Sequence, residues 1–217
     1  MRAIITGASS GIGKAIYDHL KKGAENIVCG VSRRGPDVKV DLRTAMGVSE
    51  LWRLLNEDAR PLDALILNAG IMSFAEAEDW QNIYEVNFHS VWDCLENLEI
   101  EGPCSIILNA SVAGVKGEAD MPYYAALKAA LINMTKSYAK RYISVKIRVN
   151  CFSCGFFDTN LVPSDGDDVN VLQEIVDGIP MKRVAQPEEI LPVIDMLLQC
   201  EYITGQNIIV DGGLTLL

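Results

Sequence analysis

The sequence is short of basic charge, of histidine and of long apolar runs. Its 19 lysines and arginines are outnumbered by 29 acidic residues, which gives a net charge of -10 and a pI near 4.7. Such a chain lacks the basic patch that neutralises phosphates, so we expect no nucleic-acid partner. No apolar run approaches the roughly 20 residues of a membrane-spanning helix, so we expect no membrane partner either.

Sequence that is typical of a strand begins within two residues of Met1, which leaves no room for a secretion signal. We therefore expect a cytoplasmic protein without structural disulfides. Cys151 and Cys154 have the spacing of a redox or metal motif, but no second pair and only two histidines accompany them. The six cysteines are better interpreted as small core residues, and no metal site is predicted.

With 217 residues, 49% of them hydrophobic, the chain can bury a full core, and we interpret 1–217 as a single dinucleotide-binding and catalytic domain. Strand signals recur at 3–5, 27–31, 38–40, 62–67, 105–108, 145–149 and 208–210. Helical patterns lie between most of them. This alternation predicts an α/β fold, a Rossmann-like doubly wound sheet of about seven mainly parallel strands flanked by helices.

A glycine-rich turn follows the first predicted strand and leads into an amphipathic helix from Lys14 to about Lys22. A turn of this kind directs backbone N–H groups and the helix dipole at a phosphate. The residues expected to bind phosphate in this way are Gly7, Ser9, Ser10, Gly11, Ile12 and Gly13.

A hydroxyl, a phenol and an ammonium group are expected to converge at one end of the sheet. Ser111 lies just past the carboxyl end of a predicted buried strand. Asp120 is expected to cap the next helix, whose first turn holds Pro122. Tyr124 and Lys128 are four residues apart on that helix and therefore share one face. Taken alone, this tyrosine and lysine also fit an ordinary exposed helix pair.

These three groups suit proton transfer to or from an oxygen atom. A free tyrosine has a pKa of about 10, so a pKa near 7 requires a shift of roughly 3 units, about 4 kcal/mol. Burial raises the pKa of a phenol, because desolvation penalises the phenolate. We therefore expect the positive charge of Lys128 to outweigh burial and lower the pKa of Tyr124, while Ser111 donates a hydrogen bond to the substrate oxygen.

The order T-G-x-x-x-G-x-G, then Ser111, then Tyr124-x-x-x-Lys128 resembles the short-chain dehydrogenase/reductase family, and the resemblance covers essentially the whole chain. It implies an NAD(P)-dependent oxidoreductase that interconverts a secondary alcohol and a ketone in a small-molecule substrate. Hydride would pass to or from the cofactor and Tyr124 would exchange the proton. The alternatives are an epimerase or lyase of the same fold and a non-catalytic NAD(P)-sensing protein.

The resemblance also implies roles for residues outside these motifs. Asn87 would interrupt a helix from about 79 to 97 and hold a water next to Lys128, although a packing amide is the alternative interpretation. Cys154 stands where the family has proline in the segment beside the nicotinamide. The remaining cofactor contacts implied are Asp41, Leu42, Asn68, Ala69, Gly70, Tyr124, Lys128, Gly155, Phe157 and Thr159.

The end of the second strand favours NADP(H) over NAD(H). Ser32 stands where an acidic residue would bind the adenosine ribose, and Arg33 and Arg34 follow it. Two arginines there can bind a 2′-phosphate, although a solvated loop is the alternative. Only residues 35–38 separate Arg34 from Lys39, too few for the crossover helix that the family usually has at this point.

Two further segments bear on substrate and assembly. Residues 160–181 are expected to cover the substrate, with apolar contacts from Phe156, Phe157, Leu161 and Val162 and an acidic tip at 165–168. The chain stops at Leu214-Thr215-Leu216-Leu217. Because exposed leucines are costly, we expect a partner subunit to cover them in a homodimer or homotetramer, with burial inside the monomer as the alternative.

Overall fold

The computed structural model describes residues 1–56, 60–100, 102–161 and 169–216, with the backbone alone at 169 and 170. Seven strands form one sheet in the order β3-β2-β1-β4-β5-β6-β7, and every neighbouring pair is parallel. The predicted fold class is thereby confirmed. The strands are β1 Arg2–Thr6, β2 Ile27–Ser32, β3 Val38–Lys39, β4 Ala64–Leu67, β5 Cys104–Asn109, β6 Ile147–Cys154 and β7 Asn207–Val210.

Helices connect most of the strands and cover both faces of the sheet. They are α1 Gly11–Lys21, α2 Ala45–Asn56, α3 Glu76–Tyr84, α4 Ser90–Glu96, α5 Ala113–Lys116, α6 Pro122–Tyr142, α7 Val169–Gly178 and α8 Leu191–Gln199. A π-helical turn, Glu85–His89, joins α3 to α4. Short 3₁₀ turns lie at Ile143–Val145, Pro187–Ile190 and Leu214–Leu216. None of the helices in the described ranges has the length and apolar character needed to cross a membrane.

Successive residues of the central strands alternate between two cores, one on each face of the sheet. Ile4 and Ile106 belong to one core, which also holds Leu131 of α6. Ile5 and Ile107, their neighbours in sequence, belong to the other core, on the side of α1 and α8. Burial on both faces is why these strands are continuous apolar runs in the sequence.

The connection between β2 and β3 consists of residues 33–37, a turn in place of a helix, as the spacing predicts. The Asp37 carboxylate accepts a hydrogen bond from the Gly30 N–H at 2.8 Å. A side chain at Gly30 would collide with the ring of Pro36, since an added Cβ would lie 2.5 Å from its Cγ. The turn therefore folds back directly onto β2 and keeps residues 32–34 at the end of the sheet.

Strand β6 differs from the prediction for residues 145–149. Val145 lies in a 3₁₀ turn, and the strand continues through Cys154 because residues 151–154 pair with β7. Its polar residues are buried but bonded. The Asn150 side chain donates to Ile203 O at 2.9 Å, and Ser153 Oγ donates to Asn207 Oδ1 at 2.8 Å. These partners are distant in sequence, so local pattern alone ends the strand too early.

Candidate active site

The carboxyl ends of β1, β4 and β5 open into a cleft of about 660 Å³, where the polar residues singled out in the sequence come together. Every residue predicted to contact the cofactor lines this cleft, as do Ser111, Tyr124 and Lys128. Asn87 is fully buried next to the cleft and does not line it. The structure therefore gathers the predicted residues in one place, and their individual roles stay predictions.

The glycine turn forms a narrow cradle at the start of α1. Gly7 has φ +72° and Gly11 has φ +52°, in the left-handed region that favours glycine. At Gly13 an added Cβ would lie 2.2 Å from Gly7 O and 2.4 Å from Asn68 Nδ2. The backbone can approach a phosphate here only because these side chains are absent, so the residues present fit a dinucleotide.

At the far end of the cleft, Ser32 Oγ is buried and has no hydrogen-bond partner. An orphaned buried hydroxyl is costly, and it is the kind of group that a ligand oxygen satisfies. Arg33 and Arg34 follow it, are exposed and line the cleft. Ser32 therefore fits a hydrogen-bond role at the ribose end, and the arginines supply positive charge beside it.

Arg43 is a cleft residue that was missed by sequence reasoning. Its Nε donates to Asp41 Oδ1 at 2.9 Å, and Nη2 pairs with Oδ2. These contacts lower the pKa of Asp41 to about 2. Asp41, expected to contact the cofactor, thus already forms a bidentate ion pair with Arg43. An arginine two positions after an aspartate gives no distinctive sequence signal for this arrangement.

Two side-chain amides, one buried and one half-buried, connect the glycine turn to Lys128. Asn109 Nδ2 donates to Asn68 Oδ1 at 2.9 Å, and Asn68 Nδ2 donates to Thr6 O at 3.2 Å. Asn109 O in turn accepts from Lys128 Nζ at 2.8 Å. Asn109 was not predicted, although a polar residue at the end of the buried strand β5 is the signal that could have revealed it.

Burial governs the ionisation of Lys128 and Tyr124. Lys128 Nζ lies 5.5 Å from the centroid of the Tyr124 ring. Desolvation lowers the pKa of Lys128 to about 8 and raises the pKa of Tyr124 to about 12, with the Ser111 side chain partly offsetting the latter shift. The expectation that Lys128 lowers the tyrosine pKa is therefore wrong for this arrangement. The ammonium group is directed to the Asn109 carbonyl, and loss of solvent outweighs its charge at the phenol.

Asn87 is fully buried in the π-helical turn between α3 and α4. Its Nδ2 donates to Ile71 O at 2.8 Å and to Ile83 O at 3.0 Å, and its Oδ1 accepts from Ile71 N at 3.3 Å. Its Oδ1 also lies 3.1 Å from where a Cβ on Gly70 would stand. The expected helix interruption is confirmed, whereas the water at Lys128 stays a prediction.

Helix α6, which carries Tyr124 and Lys128, starts differently from the prediction. Met121 occupies the cap position and makes no side-chain cap bond, so the expected cap from Asp120 is wrong. Instead, the Glu76 carboxylate accepts hydrogen bonds from the Tyr123 N–H at 3.0 Å and the Tyr124 N–H at 2.7 Å. The partner lies in α3, far away in sequence, which is why local motifs do not reveal it.

Comparisons with known proteins agree with this geometry. Residues 7–215 match the family model described as enoyl-(acyl carrier protein) reductase. The chain is 32% identical to 3-oxoacyl-[acyl-carrier-protein] reductase of Chlamydia pneumoniae, over 99% of this chain and 96% of that protein. The chain belongs to the short-chain dehydrogenase/reductase family. It is accordingly an NAD(P)-dependent oxidoreductase that acts on CH–OH or C=O groups.

Solved structures of the short-chain dehydrogenase/reductase family share the whole fold. A family protein from Francisella tularensis superposes with a TM-score of 0.88 at 26% identity, covering 100% of this chain and 99% of its own. A structure from Beutenbergia cavernae, assigned as an NAD(P) dependent gluconate 5-dehydrogenase and containing NADP at low occupancy, has a TM-score of 0.84 at 27% identity and covers 100% of this chain and 97% of its own. Both likenesses extend across the sheet and the cleft.

This short-chain dehydrogenase/reductase carries a thiol where the family pattern has proline. Cys154 ends β6 and is buried beside the cleft, and burial raises the pKa of its thiol to about 12. Its Sγ lies 3.9 Å from Asn109 Oδ1. The thiol is thus neutral at physiological pH and packs as a small core residue, as predicted. Cys94, Cys104 and Cys151 are likewise buried, whereas Cys200 is exposed, so the prediction of a core position is wrong for that residue. In the described part of the chain, no group of three or more His, Cys, Asp or Glu side chains could hold a metal ion.

The segment after Cys154 is held to a neighbouring strand-like stretch. Asp158 N donates to Ala185 O at 2.8 Å, and Ala185 N donates to Phe156 O at 3.0 Å. Thr159 lies next to the glycine turn, since its methyl group is 2.9 Å from where a Cβ on Gly11 would stand. The acidic tip expected at 165–168 and Val162 lie outside the described residues.

Proposed function

We propose that this chain reduces a ketone of a small molecule to a secondary alcohol, and catalyses the reverse oxidation, with Tyr124 as the general acid and base. The observation that carries the proposal is that Ser111, Tyr124 and Lys128 line the same cleft as the glycine turn, with Lys128 Nζ 5.5 Å from the centroid of the Tyr124 ring. A phenol with a pKa of about 12 stays protonated at neutral pH, so it is ready to donate a proton to a developing alkoxide.

The bound nicotinamide supplies the hydride, and the chain supplies placement and electrostatics. Ser111 lines the cleft beside Tyr124 and is proposed to donate a hydrogen bond to the substrate oxygen. Lys128 is proposed to hold a positive charge next to the phenolate that remains after proton transfer. Its pKa of about 8 leaves it mostly charged at pH 7.

Asn87 is proposed to support this site rather than to react. Two of its three hydrogen bonds, with the N–H and the carbonyl of Ile71, fix the π-helical turn against the loop after β4. That loop carries Gly70, where an added Cβ would lie 3.5 Å from Lys128 Nζ. Asn87 thereby sets the space next to Lys128, where the family pattern implies a water.

The proposed cofactor is NADP(H) in preference to NAD(H). Ser32 Oγ is a buried hydroxyl without a partner, and Arg33 and Arg34 add positive charge at the same end of the cleft. The glycine turn from Gly7 to Gly13 would hold the pyrophosphate, and the loop at 155–159 the nicotinamide carboxamide. Two related structures are named as containing NADP and another as containing NADH, which supports the nicotinamide class and not the preference.

The proposed substrate is a small ketone or alcohol of moderate polarity. Met72, Met121, Phe156 and Leu161 line the cleft together with the catalytic side chains and give it an apolar component. The relative from Chlamydia pneumoniae is named as a reductase of 3-oxoacyl groups attached to acyl carrier protein. A carrier-protein substrate is disfavoured for this chain, because a protein of net charge -10 has no electrostatic attraction for an acidic carrier protein. A cytoplasmic location stays a prediction.

Turnover of a panel of ketones and secondary alcohols with NADPH and NADH tests this function directly. We expect oxidation of the reduced cofactor that depends on the ketone, with NADPH the better donor. Tight cofactor binding without turnover across the panel would instead support a sensing protein. Conversion of substrate without net change in the cofactor would support an epimerase.

A further inference from the structure

Glu76 lies outside the cleft, yet it binds the backbone of the proposed catalytic residue. Its two carboxylate oxygens accept separate hydrogen bonds, from Tyr123 N at 3.0 Å and from Tyr124 N at 2.7 Å. The side chain is half-buried. No sequence motif marks this position.

The start of α6 needs such a partner. The first N–H groups of an α-helix have no acceptor inside the helix. Met121 at the cap position provides no side-chain bond, and Pro122 has no N–H to be satisfied. The next two N–H groups are those of Tyr123 and Tyr124, and Glu76 satisfies both. Its negative charge at the positive end of the helix dipole adds to the interaction.

Glu76 also connects the two helices that carry the site. It is the first residue of α3, which continues through the π-helical turn that holds Asn87. Through its carboxylate, α3 is tied to the first turn of α6, the turn that presents Tyr124. The Glu76 side chain therefore fixes the spacing between the helical stretch that holds Asn87 and helix α6, which holds Tyr124.

We infer that Glu76 is a positioning residue, which sets the place of the Tyr124 phenol by clamping the backbone of its helix turn. This inference rests on the proposed function of Tyr124. Glu76 acts on geometry and not on the charge of the phenol, because the influences on the pKa of Tyr124 are burial, Ser111 and Cys154. Misplacement of a reacting group by about 1 Å can cost up to about 100-fold in rate.

The test compares kcat, KM and cofactor affinity in Glu76→Ala, Glu76→Gln and wild type. We expect Glu76→Ala to lower kcat by about 10- to 100-fold. KM should change little, and the Kd for NADPH, measured by fluorescence titration, should stay the same because Glu76 does not line the cleft. Glu76→Gln keeps one oxygen acceptor and should recover an intermediate kcat.

Glu78→Ala is the matched control. Glu78 is also in the first turn of α3 and is exposed, so its removal deletes the same charge without touching α6. Its kcat should equal that of wild type. An equal loss in Glu78→Ala, or a wild-type kcat in folded Glu76→Ala, would overturn the inference.

A double variant separates positioning from general loss of stability. If Glu76 acts through the Tyr124 phenol, Glu76→Ala should slow the Tyr124→Phe enzyme by no more than about twofold. If the loss of kcat in the double variant equals the product of the losses in the two single variants, Glu76 acts independently of the phenol and the inference is overturned. If Tyr124→Phe alone is as active as wild type, the proposed function fails instead, so the two failures are distinguishable.

Discussion

Lys128 is buried at the base of the cleft, with 2% of its surface exposed, and its ammonium group has a carbonyl oxygen as its hydrogen-bond acceptor. Desolvation lowers its pKa from 10.5 to about 8. A buried cation with a lowered pKa destabilises the folded state, because the unfolded chain binds the same proton more tightly. The fold therefore tolerates an unfavourable charge at the place where the proposed chemistry uses one.

The destabilisation by the buried Lys128 charge can be measured through the pH dependence of the free energy of unfolding. Between the folded pKa of about 8 and the unfolded value of 10.5, the unfolded state binds more protons, so the free energy of unfolding rises with pH. Below pH 8 the full cost is present. Lys128→Met removes this contribution at every pH.

We therefore expect Lys128→Met to be inactive but to gain stability relative to wild type at pH 7.5. That gain should shrink by about 2 kcal/mol at pH 9.5, where wild type has recovered most of the cost. Urea unfolding of both proteins at the two pH values provides the comparison. A difference between the proteins that is the same at both pH values would show that Lys128 is not desolvated as described.

The residues with local signals were predictable, and those with distant partners were not. Gly7, Gly13, Tyr124 and Lys128 stand in short motifs whose spacing has a direct geometric meaning on a turn or a helix. Glu76 caps a helix almost fifty residues further along the chain, so no local pattern could identify it. The direction of the Tyr124 pKa shift also required the structure, because it depends on how far burial outweighs a neighbouring charge.

At the scale of elements, the turn between β2 and β3 has the clearest consequence. Residues 33–37 replace a helix, and the turn is fastened by Asp37 to the Gly30 backbone. This hydrogen bond keeps Arg33 and Arg34 next to Ser32 at the cleft, where the proposed cofactor site has its ribose. The small number of residues between Arg34 and Lys39 was enough to predict a connection without a helix. The hydrogen bond from the Gly30 N–H to Asp37 that holds this turn could be seen only in the structure.

Arg33 is expected to provide the selectivity for NADPH. A charge-assisted contact to a phosphate is worth roughly 1.5–3 kcal/mol, which corresponds to about a 10- to 150-fold preference. Arg33→Ala should lower the ratio of kcat/KM for NADPH over NADH by that factor. Arg34→Ala, with the neighbouring charge removed, is the matched comparison.

Two outcomes would contradict this assignment. A wild-type ratio below one would mean that the cleft prefers NADH. An unchanged ratio in Arg33→Ala combined with a reduced one in Arg34→Ala would move the phosphate contact to Arg34.

At the scale of the whole molecule, the number of strands, their parallel direction and their burial on both faces follow from apolar strands that alternate with helical patterns, whereas the order of the strands in the sheet is known only from the structure. The ends of elements follow less well, as β6 illustrates, since its last residues are held by β7 and by polar partners beyond position 200. The predicted start of α6 is wrong for the same reason, because its N–H groups are bound by Glu76 of the distant helix α3. Long-range contacts decide where elements begin and end, and one sequence does not contain them explicitly.

Assembly is a second property at this scale. Leu216 is 86% exposed, whereas Leu214 is partly buried and lines the cleft. Leu217 lies outside the described residues. We expect these terminal leucines to pack against another copy of the chain in a symmetric homodimer or homotetramer.

Light scattering at micromolar concentration measures the mass of the assembly in solution directly. A dimeric or tetrameric mass is expected, and Leu216→Ser should shift it towards the monomer because an apolar contact is removed. A wild-type mass equal to that of one chain would contradict the expectation.

The central claim is that the Tyr124 phenol transfers the proton while hydride passes between cofactor and substrate. The most direct measurement is kcat for the best ketone of the panel in Tyr124→Phe, with Tyr123→Phe as the control on the same helix turn. We expect Tyr124→Phe to lose about 10²–10⁴-fold in kcat with an unchanged Kd for NADPH, and Tyr123→Phe to remain close to wild type. A Tyr124→Phe enzyme that retains the wild-type kcat would contradict the claim.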